Sequence, residues 1–413
     1  MEWGAENPGA ENPMENVAKE GRALRPATLC VHAPTSGAGA GLVPAIVRSS
    51  TFRLDDAVYA ERAAGRAERT LCYTRETNPT LEAVEARIAA LEGAERSLVF
   101  ASGQAALHAL LLSTLERGQR VVLFRQIYGG TVDLCRLLCP RLGVELEFID
   151  ANDLDALARL CDGSLRLVLC ESLSNPLNCV ADLPRLAALL GARAPRALLG
   201  VDATLASPLG QRPLELGAQL VYHSATKYLG GHSDLIGGVL SGSAERVKAA
   251  WLWRTKAGGC MDPEPAYLLD RGIRTLALRL AAQSATALLL ARFLARHPRV
   301  ARVHHCGLDS HPHHALAREL LRHTGGLFSF VLRAATGDAD AEALRVIRRL
   351  ELFTEAASLG GVESLASRPR DLSQVGLSAE ERLRAGLEPG LIRLSVGIED
   401  AADLEEDLAR ALA

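Results

Sequence analysis

Only four of the 46 basic side chains in this 413-residue sequence are lysine, and one of them, Lys227, sits in the run His223-Ser-Ala-Thr-Lys-Tyr-Leu-Gly-Gly231. Lys19, Lys248 and Lys256 have no comparable setting. Where arginine fills basic positions by default, a lysine kept among small hydroxyl residues asks for a chemical reason. An amine with a depressed pKa can attack a carbonyl and form an imine, which a guanidinium cannot do. Four other polar groups trail short apolar runs: Ser102-Gly103-Gln104, Tyr128 to Thr131, Glu171 with Asn175, and Asp202 with Thr204. In an open α/β sheet the carboxyl ends of strands form the ligand crevice, which would bring such groups together.

A single cofactor accounts for all of them. Pyridoxal 5′-phosphate needs a lysine for its imine, an acid beside its pyridine nitrogen, an aromatic face over its ring and donors for its phosphate. Asp202 ends an apolar strand and is the acid. Gly103 and Gln104 precede a helical run at 105–115, whose amino terminus offers free N–H groups to the phosphate. Ser224 and Thr226, at alternate positions beside Lys227, add hydroxyl donors, and Thr204 joins them from the Asp202 strand end. Tyr128 is the stacking ring and a candidate acid. Taken singly, the residues have plainer readings: Lys227 as a surface lysine, Asp202 as a turn cap, Glu171 as a structural carboxylate supporting the site, Arg393 as a solvated charge. Their joint setting favours the chemistry.

The elements that position these groups follow an alternation of apolar runs with helical patterns between about residues 80 and 270, the mark of a mainly parallel sheet covered by helices. Strands are expected at 97–101, 121–124, 166–170, 197–201, 220–222 and 238–240. From about residue 280, arginine-rich helices and strands at 327–332 and 391–396 indicate a smaller α+β unit. Residues 25–79 are rich in turn formers, without strong helical period, and read as an extended arm. The expected division is residues 1–79 as leader and arm, 80–278 as a large cofactor-binding domain, and 279–413 as a small C-terminal domain.

Composition excludes several function classes. An apolar fraction of 48% is ample for sizeable cores, and a net charge of −3 with both signs interspersed argues against a nucleic-acid binder. The most apolar helical stretch, 285–295, holds Arg292 and is too short to span a bilayer, so no membrane role is expected. The start repeats Gly-Ala-Glu-Asn-Pro in tandem and reads as a disordered leader rather than a targeting segment. Nine scattered cysteines without a Cys-x-x-Cys pair read as thiols of a cytoplasmic protein, with Cys135 and Cys139 facing one core. Histidines 304, 305, 311, 313 and 314 invite a metal reading, but their turn-rich setting makes them solvated loop histidines, and no metal site is expected.

The ordered motifs resemble the cystathionine/methionine-metabolism family of pyridoxal-phosphate enzymes from about Thr28 to the end. They are Tyr73-x-Arg75 with Asn78-Pro-Thr, Leu91-Glu-Gly93, Ala101-Ser-Gly103, Tyr128-Gly, Val201-Asp202, the Lys227 run, Ser358-Leu-Gly-Gly-Val-Glu-Ser364, and Ile392-Arg-Leu-Ser-Val-Gly397. The resemblance implies a type I pyridoxal-phosphate fold. It makes Lys227 the imine lysine and the base that moves protons, with Asp202 on the pyridine nitrogen, Tyr128 on the ring, and Gly103, Gln104, Ser224 and Thr226 on the phosphate. It sends Tyr73 and Arg75 to the phosphate of a neighbouring subunit. Asn175 is placed near the cofactor's phenolic oxygen and the substrate, and Arg393 and Ser358 on the substrate α-carboxylate. It also implies shared sites in a homotetramer built from two dimers.

Departures from the family pattern bear on the substrate. Ala357 stands where cystathionine γ-lyases and γ-synthases commonly carry glutamate, and Gly130 stands where methionine γ-lyases have cysteine. Cys72 precedes Tyr73 at a position that is often acidic or aromatic. The stretch 366–374 lacks the usual histidine and predicts a more cationic rim. Residues 211–217 look like methionine γ-lyase, whereas 102–105 and 128–131 look like homoserine-ester sulfhydrylases. The expected function is a lyase removing a γ- or β-substituent from a sulfur-containing or otherwise γ-substituted amino acid. The alternatives are a γ-replacing sulfhydrylase or synthase, and a non-catalytic binding protein that keeps the fold.

Overall fold

The computed structural model describes residues 24–32, 42–333 and 338–413. The tandem repeat read as a leader lies outside them. β1 (Arg96–Phe100), β2 (Arg120–Phe124), β3 (Glu145–Ile149), β4 (Leu165–Glu171), β5 (Leu198–Asp202), β6 (Leu220–Ser224) and β7 (Gly238–Gly242) form a seven-stranded sheet in the order β1-β7-β6-β5-β4-β2-β3. β7 is antiparallel to both its neighbours, while β6, β5, β4, β2 and β3 pair in parallel. The carboxyl ends of β1, β2, β4, β5 and β6 therefore all open onto one edge.

Branched residues at alternate strand positions supply both faces of this sheet. Leu98, Leu123, Leu169 and Leu240 meet Leu107, Leu110, Cys135 and Trp251 from the helices Gly103–Thr114, Gly129–Leu142 and Ala244–Ala257. On the other face, Val122, Val168, Val201 and Val221 meet Leu157, Leu186 and Leu190 from Leu154–Leu160 and Leu183–Arg193. Each such side chain stabilises the fold by about 1.5–3 kcal/mol through burial. Coverage on both sides is what a parallel sheet requires.

A second sheet holds β8 (Val300–His304), β9 (Leu327–Leu332), β10 (Thr354–Glu355), β11 (Leu365–Ser367) and β12 (Leu391–Ser395) in the order β10-β11-β12-β9-β8. Period-two alternation divides its labour. Ile392 and Leu394 of β12, with Phe328 and Phe330 of β9, pack under Leu290, Val346 and Leu408 from the helices Leu276–Arg296, Ala339–Arg349 and Ala401–Leu412. The intervening Ser329 and Arg393 turn the other way, and Ser329 donates to the Pro176 carbonyl at 2.8 Å, tying this sheet to the loop after β4.

Several expectations need correction. The 25–79 stretch is not uniformly extended, since it forms the helices Pro26–His32 and Asp56–Ala63. Cys30 is buried and its carbonyl accepts from Arg87 Nη1 at 2.9 Å, so this part of the arm packs on its own chain. The apolar stretch at 285–295 belongs to the 21-residue helix Leu276–Arg296, long enough to cross a bilayer, and its length does not argue against a span. Instead, Leu276 and Leu280 are fully buried against the helices Pro79–Glu92 and Pro263–Ile273, and Leu290 and Leu294 in the core of the second sheet, with Arg279 and Gln283 buried alongside. Residues 278 and 279, the expected junction of the two domains, lie on this helix, which runs on from one core into the next.

The histidines are not solvated loop residues. His305 and His311 are buried, His311 Nε2 lies 3.0 Å from the Leu177 carbonyl, and His313 Nδ1 lies 3.1 Å from that of Val180. The segment from the end of β8 to the helix His314–Leu320 is folded down onto the segment after β4, which turn composition alone did not reveal. The nine cysteines are all thiols, and Cys135 and Cys139 share one core as their spacing predicts.

Candidate active site

The carboxyl ends of the large sheet and the polar face of β12 enclose a cleft of about 530 Å³. It is lined by Ser102, Gly103, Gln104, Tyr128, Asn175, Asp202, Thr204, Ser224, Thr226, Lys227, Ser358 and Arg393, among others. Sequence reasoning placed these residues together, and they are together. Tyr73 and Arg75 are not among them. Tyr73 is 42% exposed, with the Arg75 guanidinium 5.3 Å from its ring centre, and Arg75 Nη1 donates to the Thr255 carbonyl at 2.8 Å.

Lys227 lies just beyond β6, on the turn that joins it to β7. Its Nζ donates to Ser358 Oγ at 2.7 Å. Burial, and then the nearby Arg393 charge, lower its pKa to about 8, more than two units below an ordinary lysine. Ser358 has φ of 83°, a left-handed conformation that costs a non-glycine residue about 1–3 kcal/mol. That conformation lets one residue offer its hydroxyl to Lys227 and its carbonyl to Arg393 Nη2 at 3.0 Å.

Arg393 is nearly fully buried, and desolvation lowers its pKa to about 10. Its Nη1 reaches Asn175 Oδ1 only weakly, at 3.5 Å, and its Nε has no partner. A buried guanidinium with an unused N–H is built to take a carboxylate in a fork.

Glu171 and Asp202 end adjacent strands in direct register. Glu171 accepts from the backbone N–H of Tyr128 at 2.7 Å and of Asn175 at 2.9 Å, so one buried carboxylate sets the positions of two site residues. Burial, and then the charge of Asp202, raise its pKa well above the carboxylate range. Asp202 accepts from the Thr204 N–H at 2.9 Å, and burial raises its pKa too. The two backbone amides favour the charged form of Glu171 and oppose its upward shift, but burial and the neighbouring carboxylate outweigh them.

The phosphate end is a close-packed cradle. Ser102 caps Gly103–Thr114 by accepting from the Ala105 N–H at 3.1 Å, which leaves the first amides of the helix free. A Cβ at Gly103 would lie 3.1 Å from Ser224 Cβ, and one at Gly238 would lie 2.1 Å from the Ser102 carbonyl. Thr204 Oγ1 accepts from the Ser224 N–H at 2.9 Å and holds the β6 end against the β5 end. Free amides at a helix amino terminus, small residues and hydroxyls fit a phosphate, and a buried carboxylate beside them fits a pyridinium.

Tyr128 is 39% exposed, and burial of the rest raises the pKa of its phenol. A Cβ at Gly130 would come within 2.5 Å of Tyr128 Cε1, so the glycine leaves room for this ring position. Sequence reasoning missed Leu107, Leu205, Tyr222, Ile236 and Leu359 as lining residues. Tyr222 faces Asp202 in register, and strand alternation from Ser224 would have found it. Ile236 and Leu359 lie on loops, whose course no periodicity encodes.

The rim is also not cationic as expected. Arg368 pairs with Asp371 and Arg370 with Asp340, which leaves Leu372 and Ser373 of the 366–374 stretch facing the cleft.

A mainly parallel sheet with a lysine, a buried acid and a helix-capped phosphate cradle at its carboxyl edge defines a pyridoxal-phosphate enzyme of fold type I. The chain belongs to the Cys/Met metabolism PLP-dependent enzyme family, whose sequence model matches residues 27–413. It is 39% identical to the L-methionine gamma-lyase of Pseudomonas putida, over 91% of this chain and 93% of that protein. It is 40% identical to the O-succinylhomoserine sulfhydrylase of Pseudomonas aeruginosa, over 86% of each. The structure of cystathionine gamma synthase from Xanthomonas oryzae pv. oryzae in complex with cystathionine matches with a TM-score of 0.87 and 35% identity, covering 95% of this chain and 98% of that one. Pyridoxal phosphate is thus its cofactor, and an amino acid its substrate.

Proposed function

We propose that this enzyme is a lyase that removes the γ-substituent of a sulfur-containing amino acid, in the manner of a methionine or cystathionine γ-lyase. The observation that carries the reading is a buried amine of lowered pKa, Lys227 Nζ, held between Ser358 and the half-free guanidinium of Arg393. When bound, pyridoxal phosphate supplies an electron sink for charge developing at the substrate carbons. Gly103, Gln104, Ser224 and Thr226 hold its phosphate in this reading, Thr204 braces them, Asp202 pairs with its pyridine nitrogen, and Tyr128 covers its ring.

Arg393 and Ser358 orient the substrate through its carboxylate, with Asn175 beside them. Lys227 Nζ, whose neutral form predominates above about pH 8, takes the α-proton and moves protons along the chain. Tyr128, whose phenol stays protonated, donates to the departing sulfur. In the overall reaction the Cγ–S bond breaks, sulfur leaves as a thiol carrying a proton, and one water releases the remainder as a 2-oxo acid and ammonia.

A γ-replacing enzyme shares every step until a thiol captures the carbon skeleton. Incubation with methionine or cystathionine decides between them. Release of 2-oxobutanoate without added thiol supports the lyase; product formed only from an acyl-homoserine plus thiol would overturn it.

The same reading assigns Tyr73 and Arg75 to a neighbouring subunit, supported by their position outside the cleft of their own chain. It makes the assembly a homotetramer of two site-sharing dimers, with residues 80–278 as the cofactor domain and 279–413 as the small domain. Nine free thiols fit the cytoplasm as its location.

A further inference from the structure

Among the described residues, the cleft carries four ionisable side chains of the acidic and basic kinds, Glu171, Asp202, Lys227 and Arg393, and all four have a use at its deep end. Its mouth is different. Ile236, 67% exposed, and Leu372, 44% exposed, stand there beside Ala357 and offer apolar surface without a charge. The arginines next to Leu372 are neutralised by Asp371 and Asp340 and do not line the cleft. Beyond Ile236 and Ala357 an adjoining cavity of about 480 Å³ is lined by Asp234 and Glu363, and Glu363 accepts the Ser233 hydroxyl.

We infer that Ile236 and Leu372 are specificity-determining residues that select a substrate whose γ-substituent is an uncharged alkylthio group. The inference rests on the lyase reading and deepens it. An alkyl tail at the mouth replaces water on both isoleucine and leucine, gaining roughly fourfold in affinity for each methylene buried. A distal carboxylate finds no cation there and must approach Asp234 and Glu363, which repel it. A distal α-amino acid group brings such a carboxylate with it, and leaving a charge desolvated and unpaired is costly. The missing side-chain bulk at Ala357 widens the mouth for the tail without supplying a charge.

The test compares kcat/KM for 2-oxobutanoate release from L-methionine, L-ethionine, L-cystathionine and O-succinyl-L-homoserine. Ethionine should exceed methionine roughly fourfold, and both should exceed the charged pair at least tenfold. With Ile236→Ser and Leu372→Ser together, the ethionine preference should fall to about one. Calorimetric binding to the holoenzyme gives a readout free of turnover: L-norleucine should bind at least tenfold tighter than L-2-aminoadipate. Equal use of charged and uncharged substrates, or a double variant that keeps the ethionine preference, would overturn the selectivity and leave the lyase reading standing. If none of the four releases 2-oxobutanoate, the lyase reading falls, and the norleucine comparison still decides whether the mouth selects uncharged tails.

Discussion

Lys227 is the residue on which the site turns, and its environment makes a pH prediction. An amine attacks a carbonyl only when neutral, and burial beside Arg393 brings the Lys227 pKa to about 8. Capture of pyridoxal phosphate by the apoenzyme should therefore quicken about tenfold per pH unit below 8 and level off above it. A rate that keeps climbing toward pH 10.5, followed by stopped-flow absorbance, would mean an ordinary lysine. Glu171 makes a second prediction. In Glu171→Gln the carboxamide can accept from one backbone N–H, but its NH2 must face the other, so one of the two amides of Tyr128 and Asn175 loses its acceptor. The variant should lose about 1–3 kcal/mol of stability and show an altered circular dichroism band of bound cofactor; an unchanged band would remove Glu171 from the positioning of the site. Lys227, Asp202 and Tyr128 were legible because each needs a particular chemistry from a particular residue type. Glu171 was legible as a carboxylate supporting the site, but the two amides it holds were not, because a backbone hydrogen bond leaves no mark on sequence spacing.

At the scale of elements, β7 and the helix Gly103–Thr114 are locked together around the phosphate cradle. A methyl group at Gly238 would strike the Ser102 carbonyl, which belongs to backbone and cannot swing aside. Gly238→Ala should displace the Ser102–Gly103 turn at an overpacking cost of about 1–3 kcal/mol, felt as roughly tenfold or more in cofactor affinity. Equilibrium dialysis against pyridoxal phosphate measures it, and wild-type affinity would show that the turn is not the cradle. Six strands of the large sheet were readable from their apolar runs, since β1, β2 and β4 to β7 each fall within a residue or two of expectation. β3 escaped because Glu145 and Glu147 break its run at the sheet edge, and β8 because Ala301 and Arg302 are exposed. β10 and β11, of two and three residues, are too short for any period to register.

For the whole molecule, two consequences follow from how its parts are joined. His304, His305 and His311 are held neutral by burial, with pKa values lowered to about 4. Below about pH 6.5 the unfolded chain binds protons at these positions that the folded chain refuses. Their stabilising effect is therefore complete above pH 6.5 and is lost as pH falls toward 4. The thermal midpoint should drop between pH 7 and pH 5, and His305→Asn should flatten that drop; an equal slope in the variant would contradict the assignment. The second consequence concerns assembly. If Arg75 serves a neighbour's phosphate, Arg75→Ala and Lys227→Ala proteins, each nearly inactive, should regain activity when refolded together, because hybrid dimers contain one intact site. Mixtures no more active than their components would confine each site to one chain. The two-sheet plan was legible in the switch of pattern near residue 280. How the histidine loop closes on the segment after β4 was not, since that contact joins residues more than 130 positions apart.

The central claim, that Lys227 alone among the lysines carries the cofactor, is open to one direct measurement. The yellow holoenzyme is reduced with borohydride, digested, and its peptides are weighed by mass spectrometry. The pyridoxyl mass should appear on the peptide containing Lys227 and vanish in Lys227→Ala. Label on Lys19, Lys248 or Lys256, or label that survives the substitution, would contradict the account.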